Sequence, residues 1–408
     1  MTYSNNTRDY IRMIVNDIEF YNKKIQQYGT VILESDTHIL KMQDWICEDK
    51  RHLLHEEANI IKRLNESGCV CMPRIVDTGT YEGKPYYITE KVHQKRGMAN
   101  ADALFAFMEL KGCGVIHGDL NYRRRYFFPK EGNVLFNGLH CVLVDFDQAI
   151  IDPEVSKLNL DDLFEYMDVT YPEWSVNCGS LKEQLKRFKY NKYFNKGRLD
   201  LAGTTLMKKG ISTDYGEGVY HTIDEKNVFI KGERDLKDRL SILEKINFTG
   251  EEVLDVGCNT GLVTRYVIRR NAKLVDGIEY CREHALAGQI INHCESIFNS
   301  SIKWHDLSNT PINKHYDTIL LFSVLHHINN MRFAMEQIKG NCGRILIECR
   351  VKEDGYQYID NKWIKTNKWD YKDFDTLINT FEDLFEFSFN RDYGQVDRDR
   401  RILEFIKD

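Results

Sequence analysis

The chain has 408 residues, of which 42% are apolar and 29% are charged. At about 100–200 residues per domain, this length predicts two or three domains, each able to bury its own core. Fifty-six Lys and Arg against 62 Asp and Glu give a net charge of −6, which argues against a surface that binds DNA or another polyanion over the whole molecule. The composition also excludes the disordered, collagen-like and disulfide-scaffold classes.

The cysteines and the apolar stretches indicate a cellular compartment. Eleven cysteines are spread along the chain, the closest pair is Cys69 and Cys71, and no Cys-x-x-Cys motif occurs. This pattern is typical of reduced core thiols in a cytosolic protein. The N-terminal residues lack the pattern of a signal peptide, and the longest apolar stretch, at 319–325, is too short for a transmembrane segment. We expect a soluble cytoplasmic protein that reaches the inner membrane only through partner proteins.

The first predicted elements are two strands and a helix. Residues 30–35 and 37–42 have strand character around a tight turn, and residues 52–65 place apolar side chains on one helical stripe. Glu57 lies on that stripe, where a carboxylate is costly unless a cation meets it. The nearest candidate is Lys41, on the preceding strand, so the sequence predicts a buried Lys41–Glu57 pair.

Two apolar blocks further along the chain carry acidic residues in loops and at strand ends. Asp119 lies in CGVIHGDLN, and Asp145 lies in CVLVDFDQA. Phosphoryl transfer requires a cation on the donor phosphates, a carboxylate that holds Mg²⁺, and a second carboxylate that faces the acceptor hydroxyl. We therefore predict that Lys41 contacts the phosphates, Asp145 holds the metal and Asp119 orients the hydroxyl.

The motifs VIHGDLN, GNVLF and VLVDFDQA resemble those of the protein-kinase-like fold, and most closely those of small-molecule and lipopolysaccharide-core sugar kinases. The resemblance covers roughly residues 25–165. It implies an α+β domain that binds ATP and Mg²⁺, with Glu90 and Val92 near the adenine. It also implies that Asn133 is a second metal ligand beside Asp145.

This block departs from the kinase pattern in three places. Arg124 stands where the metal-binding Asn is expected, Asp147 replaces the glycine of the DFG motif, and Gly29 alone remains of the glycine-rich loop. Two hypotheses stay open, an active kinase and a degenerate kinase fold that binds nucleotide or nothing. Arg123, Arg124 and Arg125 either hold an anionic acceptor beside Asp119 or belong to a solvated loop.

The second half of the chain alternates strands and helices as a parallel sheet requires. A helix and two further strands follow five short apolar strands. The strands are predicted at 253–256, 273–278, 302–304, 318–322, 344–348, 385–389 and 402–406, with the helix over 371–384. The prediction is an α/β domain with five parallel strands closed by an antiparallel pair.

The segment VLDVGCNTG, at 253–261, has the strand–glycine turn–helix form of a Rossmann-like nucleotide site. Gly257 and Gly261 would let the backbone approach a ligand where a Cβ would clash. Glu279, at the end of the next strand, suits the ribose hydroxyls. The loop by itself does not distinguish a dinucleotide from S-adenosylmethionine.

VLDVGCNTG, GIEY, WHDL and DTILLFSVLHHI resemble, in this order, the motifs of class I S-adenosylmethionine-dependent methyltransferases. The resemblance implies that Asp255 and Gly257 lie near the methionine moiety, Glu279 on the ribose and Asp306 on the adenine amino group. Asn259 stands where glycine is common, but Asn tolerates left-handed backbone well. A generic Rossmann domain is the alternative.

Two further features concern the methyl acceptor. His326 and His327 follow the fourth strand, and His327 either removes a hydroxyl proton from the acceptor or serves a structural role at a strand-to-helix corner. Arg234 and Arg350 either hold an anionic acceptor or are ordinary surface residues.

The fusion of kinase-like and methyltransferase-like motifs in one chain resembles the bifunctional kinase–methyltransferases that terminate bacterial O-antigen polysaccharides, although here the kinase-like motifs come first. We predict a kinase-like domain over 1–195, a linker or capping segment over 196–231 and a methyltransferase domain over 232–408. The resemblance implies that a carbohydrate or phosphorylated small molecule is phosphorylated with ATP and then methylated, with the new phosphate as one acceptor. Glycan-assembly proteins are the expected partners. A methyltransferase of RNA, protein or a small molecule with a degenerate kinase-like binding domain is the alternative.

Overall fold

The computed structural model describes residues 13–25, 30–43, 54–117, 133–147, 149–170, 194–195, 198–210, 219–350, 356–359, 362–365, 374–397 and 400–407. The chain forms two compact units, Met1–Thr205 and Leu206–Asp408. The division falls inside the predicted segment 196–231, and the three predicted domain boundaries stay predictions. Within the described ranges, no helix combines the length and apolarity that a bilayer crossing needs.

An antiparallel sheet forms the first part of the N-terminal unit. Its described strands are β1 (Met13–Val15), β2 (Ile18–Ile25), β3 (Thr30–Glu34), β4 (His38–Gln43), β5 (Ile75–Tyr81) and β6 (Lys84–Glu90). They lie in the order β1-β2-β3-β4-β6-β5. Alternate side chains of β3 and β4, among them Leu33 and Leu40, bury one face with Phe20 and Ile88. The predicted tight turn is confirmed, since the Ser35 hydroxyl accepts the His38 N–H at its corner.

Helices and short strand pairs make up the rest of the N-terminal unit. The helices are α1 (Leu54–Glu66), α2 (Asn100–Gly112), α3 (Pro153–Lys157) and α4 (Leu160–Thr170). The short strands are β7 (Val115–Ile116), β8 (Val134–Phe136), β9 (Cys141–Leu143), β10 (Ile150–Ile151), β11 (Phe194–Asn195) and β12 (Arg198–Asp200). Helix α1 packs on β4, β5 and β6, and Gly68 follows its end with a positive φ of 76°, as a helix C-terminus favours. A short helix, α5 (Thr205–Gly210), spans the division between the units.

The C-terminal unit is built on a twisted sheet of seven described strands. Four short strands precede this sheet: β13 (Val219–His221), β14 (Ile223–Asp224), β15 (Val228–Ile230) and β16 (Gly232–Arg234). The strands of the sheet are β17 (Glu252–Val256), β18 (Leu274–Glu279), β19 (Ser300–Trp304), β20 (Tyr316–Phe322), β21 (Cys342–Arg350), β24 (Ser388–Asp397) and β25 (Arg400–Ile406). A hairpin of β22 (Tyr356–Ile359) and β23 (Lys362–Lys365) stands apart from the sheet. The strand order is β19-β18-β17-β20-β21-β25-β24. The first five strands run parallel and the last two antiparallel, so the predicted topology is confirmed.

Helices cover both faces of this sheet. They are α6 (Lys237–Leu243), α7 (Leu262–Ile268), α8 (Arg282–Cys294), α9 (Met331–Gly340) and α10 (Phe374–Phe385). Because neighbouring strand residues point to opposite faces, Leu254 and Leu321 pack with α9 and α10, whereas Val253 and Leu320 pack with α6 and α7. The strands are therefore apolar on both faces, as buried parallel strands require.

The end of the chain differs from its prediction in one respect. The sequence predicts a strand over 385–389, but α10 continues to Phe385 and β24 begins at Ser388. Phe385 is fully buried and packs against Phe381 of the same helix, with ring centroids 6.0 Å apart. The aromatic run therefore first completes the helical stripe and only then enters the sheet.

Candidate active sites

A glycine turn joins β17 to α7 at the carboxyl end of the central strand. Gly257 and Gly261 have positive φ angles of 68° and 77°, and Asn259 has a φ of 53°. A Cβ on Gly257 would lie 2.6 Å from Cγ2 of Val324, closer than real Cβ contacts. The Gly257 N–H donates to the Ile278 carbonyl at 2.8 Å, which holds the turn against β18. Glycine is therefore required at position 257 both by the left-handed backbone and by the Val324 side chain.

Asp255 lies one residue before the end of β17 and is 3% exposed. The Thr264 hydroxyl of α7 donates to its Oδ2 at 2.7 Å. Burial raises the pKa of Asp255 to about 6, against the opposing effects of the Thr264 hydrogen bond and the Arg239 charge. A buried carboxyl of this kind favours a cationic neighbour, because the cation would restore its ionised form.

Glu279 is the last residue of the neighbouring strand β18. Its Oε2 accepts the Asn259 N–H at 2.7 Å, and its Oε1 accepts the Cys281 N–H at 2.8 Å. These two bonds fix the carboxylate beside the glycine turn, and each oxygen keeps a further lone pair. The geometry suits a donor with two adjacent hydroxyls.

Asp306 lies in the loop after β19. Its Oδ1 accepts the Ser308 N–H at 2.9 Å, and its Oδ2 accepts from the Asn309 side-chain amide at 2.8 Å. The carboxylate thus organises its own loop and retains lone pairs for an amino group. The contact of Asp306 with the adenine amino group stays a prediction.

His326 and His327 belong to a 3₁₀ turn, Leu325–His327, after β20. Their ring centroids are 3.9 Å apart, and desolvation lowers the pKa of His327 against the opposing charge of Glu279. Neither imidazole caps α9, because its N-cap is Asn330, whose side chain accepts the Phe333 N–H. Because this turn follows β20, the histidines lie at the carboxyl end of the sheet, as Asp255 and Glu279 do. Strand β23 packs against the turn.

A cluster of arginines around Glu348 was not predicted from the sequence. Arg239 of α6 contacts both carboxylate oxygens of Glu348, at 2.5 and 2.8 Å. Arg400 donates to the same carboxylate at 3.2 Å, and the Ser323 hydroxyl does so at 2.6 Å. Although Glu348 is buried, these cations lower its pKa. One anion is therefore held by two guanidinium groups, at the carboxyl end of the sheet.

Arg234, which the sequence predicts as an acceptor-binding residue, lies near this cluster. It is the last residue of β16 and is exposed. Burial and the charges of Arg239, Arg234 and Arg400 lower the pKa of His221 to about 3. Because all three cations act on one histidine, Arg234 contributes to the same positive field as the arginines that bind Glu348.

A second buried ion pair, also missed by the sequence analysis, supports the glycine turn. Arg265 of α7 is fully buried and donates to Glu225 at 2.6 Å and to the Thr260 carbonyl at 2.7 Å. Glu225 is bound in addition by Arg269 at 2.6 Å. The glycine turn is thereby tied to the β14–β15 hairpin through a charged network.

In the N-terminal unit the predicted Lys41–Glu57 pair is present. Lys41 Nζ lies 2.9 Å from Glu57 Oε1 and 2.6 Å from Asp145 Oδ1. Burial would lower the pKa of Lys41, but the neighbouring Tyr87, Glu57 and Asp145 outweigh it and raise this pKa. Glu57 also accepts the Phe146 N–H at 2.9 Å. The lysine and the 145–146 segment therefore share one buried carboxylate.

Asn133 and His117 complete the surroundings of Asp145. The Asn133 carbonyl accepts the Val144 N–H at 2.9 Å, so Asn133 lies opposite the residue that precedes Asp145. His117 donates to the Val144 carbonyl at 2.9 Å, and burial lowers its pKa to about 4. Asp145 itself has a φ of 69°, a left-handed backbone conformation that Asp adopts more readily than most residues.

The remaining predicted residues of this unit divide into two groups. Glu90 ends β6, where its N–H donates to the Arg74 carbonyl, and Val92 follows two residues later. Asp119, Arg123, Arg124 and Arg125 lie outside the described residues.

The C-terminal sheet order and the glycine turn define a class I, Rossmann-like methyltransferase fold. Residues 228–384 match the family model described as a methyltransferase domain. The C-terminal unit therefore contains a methyltransferase-like domain. The kinase-like fold of the N-terminal unit stays a prediction.

Individual similar proteins are distant. The mitochondrial ubiquinone biosynthesis O-methyltransferase of Schizosaccharomyces pombe is 27% identical over 114 residues, which are 26% of this chain and 39% of that enzyme. The chain thus spans about two fifths of the length of that relative.

Among solved structures, the magnesium protoporphyrin IX methyltransferase of Synechocystis with bound SAM has a TM-score of 0.33 and 17% identity, over 42% of this chain and 78% of that chain. The N-terminal domain of EvdMO1, in the presence of SAH and D-fucose, has a TM-score of 0.36 and 14% identity, over 46% and 90%. The assignment of the fold rests on the strand order and the family match.

Proposed function

We propose that the C-terminal unit transfers a methyl group from S-adenosylmethionine. The observation that carries this proposal is that Asp255 and Glu279 lie at the ends of two neighbouring strands, on either side of a glycine turn with left-handed backbone. The buried Asp255 suits the cationic methionine moiety, and the fixed carboxylate of Glu279 suits the ribose hydroxyls. When bound, S-adenosylmethionine would supply an electrophilic methyl group, and the residues of the protein would bind and orient the two reactants.

Equilibrium binding of S-adenosylmethionine to the full chain tests the donor site. We expect Asp255→Ala and Glu279→Ala to weaken binding at least about tenfold, because each removes a charged or hydrogen-bonded ligand contact. Glu336→Gln is the matched control, since Glu336 lies on α9 with a side chain 57% exposed. Unchanged affinity in both site variants, with a folded protein, would reject the assignment.

We propose further that the methyl acceptor is anionic. Arg239 and Arg400 both contact Glu348, and the exposed Arg234 acts on His221 together with them, so three guanidinium groups lie near one another where they can attract an anion. A phosphate oxyanion is already nucleophilic and needs no strong base. Desolvation lowers the pKa of His327 and so favours its neutral form, and we propose that this imidazole orients the acceptor.

The anionic acceptor is testable with a panel of monosaccharide phosphates and their uncharged parent sugars, assayed with methyl-labelled S-adenosylmethionine. We expect label only in the phosphorylated compounds, and a KM at least about tenfold higher in Arg234→Gln and Arg400→Gln. The affinity for the methyl donor stays the same. Equal labelling of the uncharged sugars would contradict this part of the proposal.

The N-terminal unit is proposed to bind ATP with Mg²⁺ and to phosphorylate a hydroxyl of the same acceptor. Lys41, held by Glu57, is positioned to contact phosphates, and the Asp145 carboxylate beside Asn133 is an oxygen donor set that suits Mg²⁺. Asp119 is proposed as the residue that orients the acceptor hydroxyl. When bound, Mg²⁺ neutralises the phosphate charge that develops during transfer.

Radiolabelled ATP with the same sugars tests the kinase. Lys41→Ala and Asp145→Ala should each reduce labelled phosphate on the acceptor at least about a hundredfold, and Lys91→Ala serves as a control on the neighbouring strand end. Persistent phosphorylation in both site variants would contradict the assignment.

A kinase-like domain that binds without catalysis is the second candidate. The observation that favours it is the Lys41–Asp145 contact of 2.6 Å, in which the lysine contacts the carboxylate that the metal would need. In that case the methyltransferase domain would act on RNA, protein or a small molecule. Methylation of a phosphorylated sugar without any phosphate transfer from ATP would favour this candidate over the bifunctional enzyme acting on surface polysaccharide.

A further inference from the structure

Two thiols and one carboxylate lie close together in the N-terminal unit, and a third thiol contacts one of them. Cys69 and Cys71 lie in the connection between α1 and β5, and Glu109 lies in the last turns of α2. Cys113 is the residue that follows α2. The proposed kinase and methyltransferase chemistries use none of these four residues.

The ligand atoms of this cluster are close enough to share one ion. The Sγ atoms of Cys69 and Cys71 are 3.5 Å apart, and together with a Glu109 carboxylate oxygen all three atoms lie within 4.8 Å of one another. Tetrahedral Zn²⁺, with Zn–S bonds of about 2.3 Å, separates its sulfur ligands by roughly 3.8 Å. The thiols are thus spaced nearly as zinc ligands, and far beyond the length of a disulfide bond.

Cys113 supplies a fourth donor beside this group. Its thiol is hydrogen-bonded to that of Cys69, and the Ser67 hydroxyl lies 3.9 Å from its Sγ. Cys113 is half-buried, whereas Cys69 and Cys71 are 5% and 1% exposed. The cluster therefore has one side that an ion in solution can reach.

The backbone around the cluster is held in place independently of any ion. The Val70 N–H donates to Glu109 Oε1 at 2.9 Å, and the Leu143 N–H donates to the Cys71 carbonyl at 2.6 Å. Cys69 N–H donates to the Leu64 carbonyl at the end of α1. These bonds preorganise the donors, which lowers the entropic cost of binding a ligand.

Electrostatics at this position favour a cation. Glu109 is fully buried, and one of its carboxylate oxygens lies within 4.8 Å of the sulfur atoms of both Cys69 and Cys71. Thiols that merely fill a core need no carboxylate beside them, because burying a charge is costly unless it is paired. A divalent cation bound among these donors would pair with the buried carboxylate and offset the free-energy cost of burying its charge.

We propose that Cys69, Cys71, Cys113 and Glu109 form a structural Zn²⁺ site. Thiolate donors select zinc over Mg²⁺ and Ca²⁺, which take oxygen ligands. Each thiol that binds the ion releases its proton to solvent, and the carboxylate binds in its ionised form. The ion would fasten the α1–β5 connection to the end of α2.

Metal analysis of the untagged full chain, purified without chelators, tests this site. We expect about one zinc per chain, reduced at least about tenfold in the double variant Cys69→Ser/Cys71→Ser and in Glu109→Gln. Cys294→Ser, which changes a fully buried thiol of the C-terminal unit, is the control and should retain the metal.

A second measurement does not depend on the folding of any variant. Wild-type protein freed of metal with a chelator is titrated with Co²⁺, which gives thiolate-to-cobalt charge-transfer absorption when sulfur ligands surround it tetrahedrally. We expect this absorption to saturate at one Co²⁺ per chain and to disappear when Zn²⁺ is added. Wild-type protein that carries no zinc and shows no charge-transfer band with Co²⁺ would overturn the proposal.

Discussion

At the scale of single residues, the buried carboxyl of Asp255 in the candidate methyl-donor site lowers the stability of the ligand-free protein. Asp255 is buried with a hydroxyl as its hydrogen-bond donor, and its pKa is raised to about 6. Because the pKa of the folded state lies above that of the unfolded chain, the contribution of Asp255 to stability is greatest below about pH 4 and falls as the pH rises through 6. The carboxylate therefore destabilises the ligand-free protein at neutral pH.

We accordingly expect Asp255→Asn to raise the free energy of unfolding of the ligand-free protein by about 1–3 kcal/mol at pH 7.5. Asn keeps an acceptor for the Thr264 hydroxyl but has no charge to bury. Urea denaturation at pH 7.5 and near pH 4 measures the effect, which should shrink at the lower pH. A variant that is less stable than the wild type at pH 7.5 would show that the Asp255 charge is compensated in the folded state.

Residue-level predictions from the sequence succeed where the pattern is local. The phase of α1 places Glu57 on the packed face, and the preceding strand offers Lys41, so their pairing follows from the sequence alone. Arg239 and Glu348 are 109 positions apart, and nothing in the segments around them signals the contact. Such a pair becomes visible only when α6 and β21 are brought together in the fold.

At the scale of elements, the glycine turn between β17 and α7 is the most constrained connection of the methyltransferase domain. Its Gly257 needs a left-handed backbone and also lies against Val324. Gly250 has a similar φ of 79° but no atom within 4 Å of an added Cβ. A substitution at Gly250 therefore measures backbone strain alone, whereas one at Gly257 measures strain together with the steric clash.

Gly257→Ala should therefore destabilise the protein by about 2–4 kcal/mol, whereas Gly250→Ala should cost only the left-handed strain of about 1–2 kcal/mol. Denaturation of both variants measures the difference. The double variant Gly257→Ala/Val324→Ala should recover part of the loss. Equal costs for the two single variants would mean that the Val324 contact does not restrict position 257.

The Arg265–Glu225 pair makes a second prediction about elements, because it connects α7 to the β14–β15 hairpin. Removing the guanidinium takes the buried cation away from a carboxylate that is 1% exposed and leaves it beside Arg269, which is 44% exposed. We expect Arg265→Ala to cost about 3–5 kcal/mol, and Arg270→Ala, an exposed control, less than about 0.5 kcal/mol.

A double-mutant cycle with Glu225→Gln isolates the interaction of the pair. The coupling should exceed about 1 kcal/mol. Additive costs of the two substitutions would show that Arg265 acts through packing rather than through Glu225.

Element-level predictions from the sequence are good for strands and weaker at their ends. The five parallel strands are short apolar runs with helical segments between them, which is sufficient to predict their order of occurrence and direction. The boundary between α10 and β24 could not be predicted, because Phe385 and Phe387 satisfy both a helical stripe and a strand, and only packing distinguishes the two.

At the scale of the whole molecule, the chain divides into two units, and each contains a separate set of buried charged residues. In the N-terminal unit they include Lys41 and Glu57, which lie beside the partly exposed Asp145, and in the C-terminal unit they include Asp255 and Glu348. The chain as a whole carries a net charge of −6, yet the surroundings of Glu348 are locally positive. Net charge therefore predicts the absence of a general polyanion surface but does not predict this site.

Separate sites imply separable losses of function. Lys41→Ala should abolish ATP binding and leave the affinity for S-adenosylmethionine unchanged within about twofold, and Glu279→Ala should do the reverse. Calorimetric titration of each full-length variant with each ligand measures both effects. Loss of both affinities in either folded variant would contradict independent sites.

The most direct test of the central claim, that the C-terminal unit is an S-adenosylmethionine-dependent methyltransferase, is a crystal structure of the full chain with S-adenosylhomocysteine. The account predicts the ribose hydroxyls within about 2.7 Å of the Glu279 carboxylate and the amino-acid moiety beside Asp255 and Gly257. A ligand bound elsewhere in the chain, or a Glu279 carboxylate without a contact to the ribose, would contradict it.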